Sequence, residues 1–309
     1  MLIGFLLAKK YDQAQKKTIN KYEYLNQNFQ TDIKYALRKS SLSFFRDQLM
    51  QFIESERGAG RISDASVFFR DLQAGPTFEI KAFANFSPAS LLKLPLAVAY
   101  FVLEEQAAGV LKTRLQYVKG GDSMPQEFVA SKSLKENSVY SVEELLFDMI
   151  VYSDNISQNI LTQYIKTIPN GENTLAQVFQ EVGATDTTDV LKENINASGY
   201  ASMFRQLYNV SYLNAEFSEK ILSWLAQSDF KDGLVAGVPD SIGVAHKFGE
   251  RVFSTDIEVK QLHDCGIVYF PDNPYLLCVM TRGGEWDNLS GFIKAISEKV
   301  YKEMESRRI

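Results

Sequence analysis

Apolar residues in this chain follow two rhythms. From Ser41 onward, Leu42, Phe45, Leu49, Phe52 and Ile53 recur at the spacing of one helix face, and Gly58-Ala59-Gly60 closes that run. ASVFFRDL and TFEIKAF then read as two strands parted by the turn signal QAGP. SPASLLKLPLAVAY, from Ser87 to Tyr100, is an almost unbroken apolar helix signal with one lysine inside it. The middle of the chain is mainly helical. YSVEELLFDMIVY carries a capping box, Ser141 with Glu144, and a second helix runs through Ile156, Ile160, Leu161, Tyr164 and Ile165. Strand signals return in GVAHKFG and in CGIVYF and YLLCVMT, the last two joined by the hairpin turn PDNP. Leu289, Phe292, Ile293, Ile296, Val300 and Met304 predict a final amphipathic helix.

Strands thus lie near both ends and helices fill the middle. The simplest packing is an α/β chain of the α+β kind. One antiparallel sheet is built from both chain ends and covered by the first and last helices, with an all-helical subdomain inserted between the second and third strands. The domain spans residues 41–309. Residues 1–40 read separately, as an apolar segment, Leu2 to Ala8, followed by a polar stalk. That segment is too short to span a membrane, which needs about 20 apolar residues. It lacks a clear basic start and cleavage site. It is expected to be an anchor remnant or a weak signal, which places the chain outside the cytoplasm, in the cell envelope or secreted, with membrane attachment through the N-terminus.

Composition narrows the chemistry by exclusion. The 309 residues are 45% hydrophobic and 23% charged, with a net charge of -5, which argues against a nucleic-acid partner. Two cysteines, Cys265 and Cys278, make no disulfide framework and are expected to be small buried strand residues rather than a bridged pair. No histidine–cysteine cluster has metal-ligand spacing, and no cofactor is expected. His246 and His263, the only two histidines, are expected to do no chemistry. A serine nucleophile would therefore have few histidine bases to use.

That turns attention to Lys93. A buried ammonium is costly unless paired. Pro95 is tolerated only in a first helical turn, so the helix starts near Ser90. Residues i and i+3 share a helix face, which sets the Lys93 amine beside the Ser90 hydroxyl. A desolvated lysine loses proton affinity and can serve as a base. Two further motifs follow along the chain. Ser153-Asp154-Asn155 lies between two helices, where each residue type also suits an N-cap. Lys247-Phe248-Gly249 lies on a late strand, where a surface lysine would be unremarkable.

Ser-x-x-Lys, Ser-Asp-Asn and Lys-x-Gly occur in the order and spacing of the class A β-lactamases and penicillin-binding proteins, which the chain resembles from about Ser41 to Arg308. GVLKTRLQYV and HDCGIVYFPDNPYLLCVMTRGG resemble the matching segments of that family. The resemblance implies a β-lactamase-like fold and a serine acyl-enzyme hydrolase or transferase acting on an amide, β-lactam, ester or peptidoglycan-like substrate. Ser90 would be acylated and Lys93 would take its proton. Ser153 would relay a proton toward the leaving nitrogen, in a network with Lys93 and Lys247. Asn155 would hold the substrate amide. The backbone N–H groups of Ser90 and of Glu250, which follows Gly249, would form the oxyanion hole. The sequence departs from the family twice. Between Gly183 and Ser198 no Glu-x-x-Leu-Asn pattern supplies a deacylating base, leaving Asp189 and Glu193 as the nearby carboxylates. Phe248 stands where a carboxylate-binding hydroxyl is usual. The departures leave open a binding protein that reuses the fold without catalysis.

Overall fold

The computed structural model describes residues 22–26, 42–73, 75–118, 126–183, 194–253 and 258–307. The apolar segment at Leu2–Ala8 and most of the expected stalk lie outside them, as do Asp189 and Glu193.

The first predicted helix forms as α1 (Ser43–Gly58), with Phe45, Leu49 and Ile53 buried. It is followed by β1 (Asp64–Asp71) and β2 (Thr77–Ile80). A 3-10 turn, Ala89–Leu92, leads into α2 (Lys93–Gln106). A short hairpin comes next, β3 (Arg114–Tyr117) paired with β4 (Ser138–Ser141), which the hydrophobic pattern does not reveal. Its strands are four residues each and carry exposed polar positions, so no alternation stands out. The helical region continues with α3 (Val142–Val151), α4 (Asn155–Ile165), α5 (Gly171–Glu181), α6 (Ala197–Tyr208) and α7 (Ala215–Leu225). Ser141 and Glu144 close the predicted capping box on α3. β5 (Val244–Phe253), β6 (Val259–Val268) and β7 (Tyr275–Gly283) precede the terminal α8 (Trp286–Ser306).

Five of these strands form one antiparallel sheet in the order β2-β1-β7-β6-β5, so both chain ends contribute to it as expected. Helices cover both faces. α1 and α8 pack on one side, where Phe52 stacks on Phe292 at 5.7 Å. The helical subdomain packs on the other side around α2, whose residues from Lys93 to Phe101 are all buried and, but for Lys93, apolar or aromatic. Double coverage explains why β1 and β7 read as near-continuous apolar runs rather than alternating ones. Residues 22–26 also lie against this body. Leu25 is 2% exposed, and the N–H groups of Glu23 and Tyr24 donate to the Glu219 carboxylate.

One expectation is overturned here. Cys265 and Cys278 are buried strand residues, but the β6–β7 register sets them directly opposite each other and their sulfurs form a disulfide. The register of the PDNP hairpin decides the pairing, and register cannot be read from two isolated strand signals.

Candidate active site

Sheet and helical subdomain meet at the edge strand β5, and the predicted site residues converge there. The 3-10 turn carries Ser90, partly exposed, and Ala89 before it takes a left-handed φ of +46°. Three groups hold this turn from below. Gln261 Oε1 accepts the Ser87 N–H at 2.9 Å, and His263 Nε2 donates to the Ser87 carbonyl at 3.0 Å. The Tyr200 hydroxyl donates to the Leu91 carbonyl at 3.0 Å. Gln261 and His263 alternate on β6 and are fully buried. Two polar residues two apart in a buried strand are the available signal for this support, and hydrophobic patterning passes over them. Burial holds the His263 pKa down at about 3, so it stays neutral, with Nδ1 accepting the Thr281 N–H at 3.3 Å.

Lys93 is wholly buried at the start of α2. Its amine makes no hydrogen bond to the Ser90 hydroxyl. It donates instead to the Ser153 carbonyl, to Ser153 Oγ at 3.1 Å and to Asn155 Oδ1 at 2.6 Å. Three acceptors match the three donors of an ammonium, which is how an apolar helix tolerates the group. Burial nonetheless pulls its pKa down to about 7, against the opposing fields of Asp154 and Glu250.

The Ser-Asp-Asn stretch divides its labour. Asp154 takes the N-cap of α4 and accepts the Ser157 N–H at 2.5 Å. This frees Ser153 and Asn155 to face Lys93. Ser153 sits at φ +53°, a left-handed conformation that costs about 1–2 kcal/mol for a residue with a side chain. In that conformation its carbonyl and its hydroxyl both reach Lys93.

From the opposite wall, β5 delivers Lys247, also fully buried, whose Nζ donates to Ser153 Oγ at 3.0 Å and to the Phe248 carbonyl at 3.1 Å. Ser153 Oγ thus lies between two amines. Burial, with the nearby Lys93 charge, holds the Lys247 pKa well below the usual lysine value. Gly249 brings the strand against the Ala89–Leu92 turn. A Cβ there would stand 3.0 Å from the Leu91 nitrogen and 3.2 Å from the Ser90 nitrogen. The next residue, Glu250, matters by resemblance for its backbone N–H, but its side chain also spans the cleft. Oε2 accepts the N–H groups of Glu127 and Phe128 at 3.2 and 3.4 Å, and burial raises its pKa. Gln126 in the same segment donates to the Ser153 carbonyl at 3.3 Å.

Phe248 packs into an aromatic cluster. It is 3% exposed and stacks on Phe230 at 4.2 Å, with Phe128 edge-on at 6.1 Å and the Lys247 amine 4.4 Å above its ring. His246, expected to be idle, anchors the wall behind it. Its Nδ1 lies 2.7 Å from Asp264 Oδ1, while Asp264 Oδ2 accepts the Leu234 N–H at 2.8 Å. Among the described residues no cluster of histidine, cysteine and carboxylate side chains is arranged to hold a metal ion. The arrangement combines a reachable hydroxyl, a buried amine that is neutral for part of the time near pH 7, and a hydroxyl bridging two amines. Such groups can pass protons during acyl transfer.

A model of the beta-lactamase enzyme family matches residues 46–304. Among solved structures, an acyl-enzyme complex of a PBP-A mutant with penicillin G aligns with a TM-score of 0.69 at 20% identity, covering 87% of this chain and 98% of that one. A class A beta-lactamase from Mycobacterium abscessus aligns at 0.68 and 20% identity, covering 82% and 98%. A beta lactamase from Xanthomonas campestris aligns at 0.67 and 19%, covering 83% and 97%. Against curated proteins the chain has no match. At these identities the structural likeness speaks for the fold.

Proposed function

This chain belongs to the beta-lactamase enzyme family, and from that premise we propose that it is a serine acyl-enzyme hydrolase or transferase acting on an amide, β-lactam or ester. The observation that carries the reading is the Ser153 hydroxyl held between the Lys93 and Lys247 amines, with Lys93 itself one turn on from Ser90. In the proposed reaction Ser90 Oγ attacks the substrate carbonyl and its proton passes to neutral Lys93. The oxyanion is met by the N–H groups of Ser90 and Glu250, a kind of contact worth several kcal/mol. As the C–N bond breaks, Ser153 passes a proton to the leaving nitrogen and is resupplied through the lysines. Asn155 orients the substrate amide. Water then releases the acyl group and restores Ser90.

Release is proposed to be slow. The stretch from Gly183 to Ala197 has no Glu-x-x-Leu-Asn pattern to position a water. We also propose an extracytoplasmic location, for which the Cys265–Cys278 disulfide gives support, since such bonds persist in oxidising compartments.

The test is mass spectrometry after exposure to an activated ester and to a penicillin. One adduct is expected, on Ser90, persisting for minutes or longer and absent from Ser90→Ala. An adduct that survives in Ser90→Ala overturns the assignment, and rapid multiple turnover overturns the slow release. A wild-type protein inert to both reagents turns the reading to a binding protein.

A further inference from the structure

A cavity of about 320 Å³ opens beside the proposed catalytic groups. Its lining includes Tyr152, the residue before Ser153, and Phe248, the residue after Lys247, so it adjoins the hydroxyl that would serve the leaving nitrogen. The floor is aromatic. Phe230 and Phe248 are stacked 4.2 Å apart, and Phe128 stands edge-on to Phe230 at 4.8 Å. The rim is acidic, with Glu127, Asp229 and Asp232 outweighing one lining cation, Lys231. Asp229 accepts the Ser131 N–H at 2.8 Å, a neutral donor that leaves its charge in place.

A ligand carboxylate fits these surroundings badly. It would meet the rim charges and only the apolar rings of Phe248, Phe230 and Phe128 on the floor. The Lys247 amine already donates to Ser153 and to the Phe248 carbonyl. A purely apolar group would suit the floor and leave the rim charge unanswered. An ammonium on an aliphatic arm answers both, because the arm packs on the aromatic floor and the rim carboxylates attract the charge.

Resting on the acyl-enzyme reading above, we propose that this cavity is a specificity site for a primary ammonium, so that the substrate is an amide or ester bearing an aliphatic amine. The aromatic floor takes the methylene arm, and the carboxylate rim takes the charged end.

Two measurements on the full chain test the proposal separately from the reading beneath it. In titration calorimetry, hexylammonium should bind roughly tenfold more tightly than hexanol, with hexanoate weakest. The double variant Asp229→Asn, Asp232→Asn should erase that preference. The Asp229→Asn change keeps a side-chain acceptor for the Ser131 N–H, so the fold should be retained. In acylation, three activated esters alike except for a terminal ammonium, methyl or carboxylate are compared. The ammonium ester should acylate Ser90 roughly tenfold faster than the carboxylate ester, and hexylammonium should compete. If the three probes bind alike, or the double variant binds hexylammonium as the wild type does, the ammonium site is overturned even if acylation proceeds. If hexylammonium binds selectively while no ester acylates Ser90, the site stands and the acyl-enzyme reading falls.

Discussion

Lys93 shows how one residue's surroundings set its chemistry. Its pKa of about 7 results from burial, with Asp154 and Glu250 working against the shift. Lys247 on β5 is the second amine of the pair, so a titration reports both together. On the proposed mechanism Lys93, protonated below about pH 7, cannot accept the Ser90 proton there and becomes available as the base above it. The rate of Ser90 acylation should therefore fall about tenfold per pH unit below about 7 and level off above it. Stopped-flow acylation by an activated ester across the neutral range checks this, and a profile flat through the acid side would place the base elsewhere. Gly249 is equally local. A Cβ would crowd the Leu91 and Ser90 nitrogens at 3.0 and 3.2 Å, so Gly249→Ala must push β5 away from the nucleophile turn. Acylation is expected to drop about a hundredfold, the scale of a lost oxyanion donor. The unfolding free energy should fall by only about 1–3 kcal/mol, the scale of a crowded methyl, which denaturant titration reads independently.

At the scale of elements, the connection between α3 and α4 is the part that assembles the site. Asp154 caps α4, which leaves Ser153 left-handed at φ +53° with both of its oxygens on Lys93. Ser153→Gly and Ser153→Ala both remove the hydroxyl, but only glycine relieves the backbone. The glycine variant should be the more stable of the two by about 1 kcal/mol, while both acylate slowly. Equal stabilities would mean that the strain is relaxed some other way. The β6–β7 hairpin makes a second prediction. Its disulfide joins residues 13 apart in sequence, and closing a loop of that size contributes about 3 kcal/mol by chain entropy. Cys265→Ala with Cys278→Ala should lower the unfolding free energy by roughly 2–3 kcal/mol. Acylation should slow as well, because Cys265 stands directly opposite Lys247 in the β5–β6 register, on the strand that also carries Gln261 and His263.

Over the whole molecule, the site exists because two halves with separate cores meet. α1 and α8 build one core on the sheet, and the helices around α2 build the other. Each half supplies one amine to Ser153. Lys93 comes from α2 and Lys247 from β5, on opposite sides of the inserted helices in the chain. The Glu250 carboxylate then ties the 126–128 segment to the sheet edge across the cleft. Glu250→Gln keeps an acceptor for those two N–H groups and removes the charge that opposes the fall of the Lys93 pKa. The midpoint of the acylation profile should therefore move to lower pH, with little change in the plateau rate. A midpoint that stays put would show that Glu250 acts through the strap alone.

The sequence by itself determined the five strands of the main sheet and their two-ended origin, the first and last helices, the capped start of α3 and the three motifs, but not the β3–β4 hairpin. Those features rest on local periodicity, cap chemistry and short spacings, which neighbouring residues carry among themselves. Only the tertiary structure decided that Asn155 shares Lys93 with Ser153, because a buried amine goes to whichever acceptors the packing of α2 against α4 provides. Strand register, not strand signal, decided the disulfide. The stacking of Phe248 on Phe230, and the cavity it floors, depend on a contact between two separate segments, held by the buried His246–Asp264 pair and its bond to Leu234. Such contacts have no local signature, since they form only once two surfaces have packed and excluded water between them.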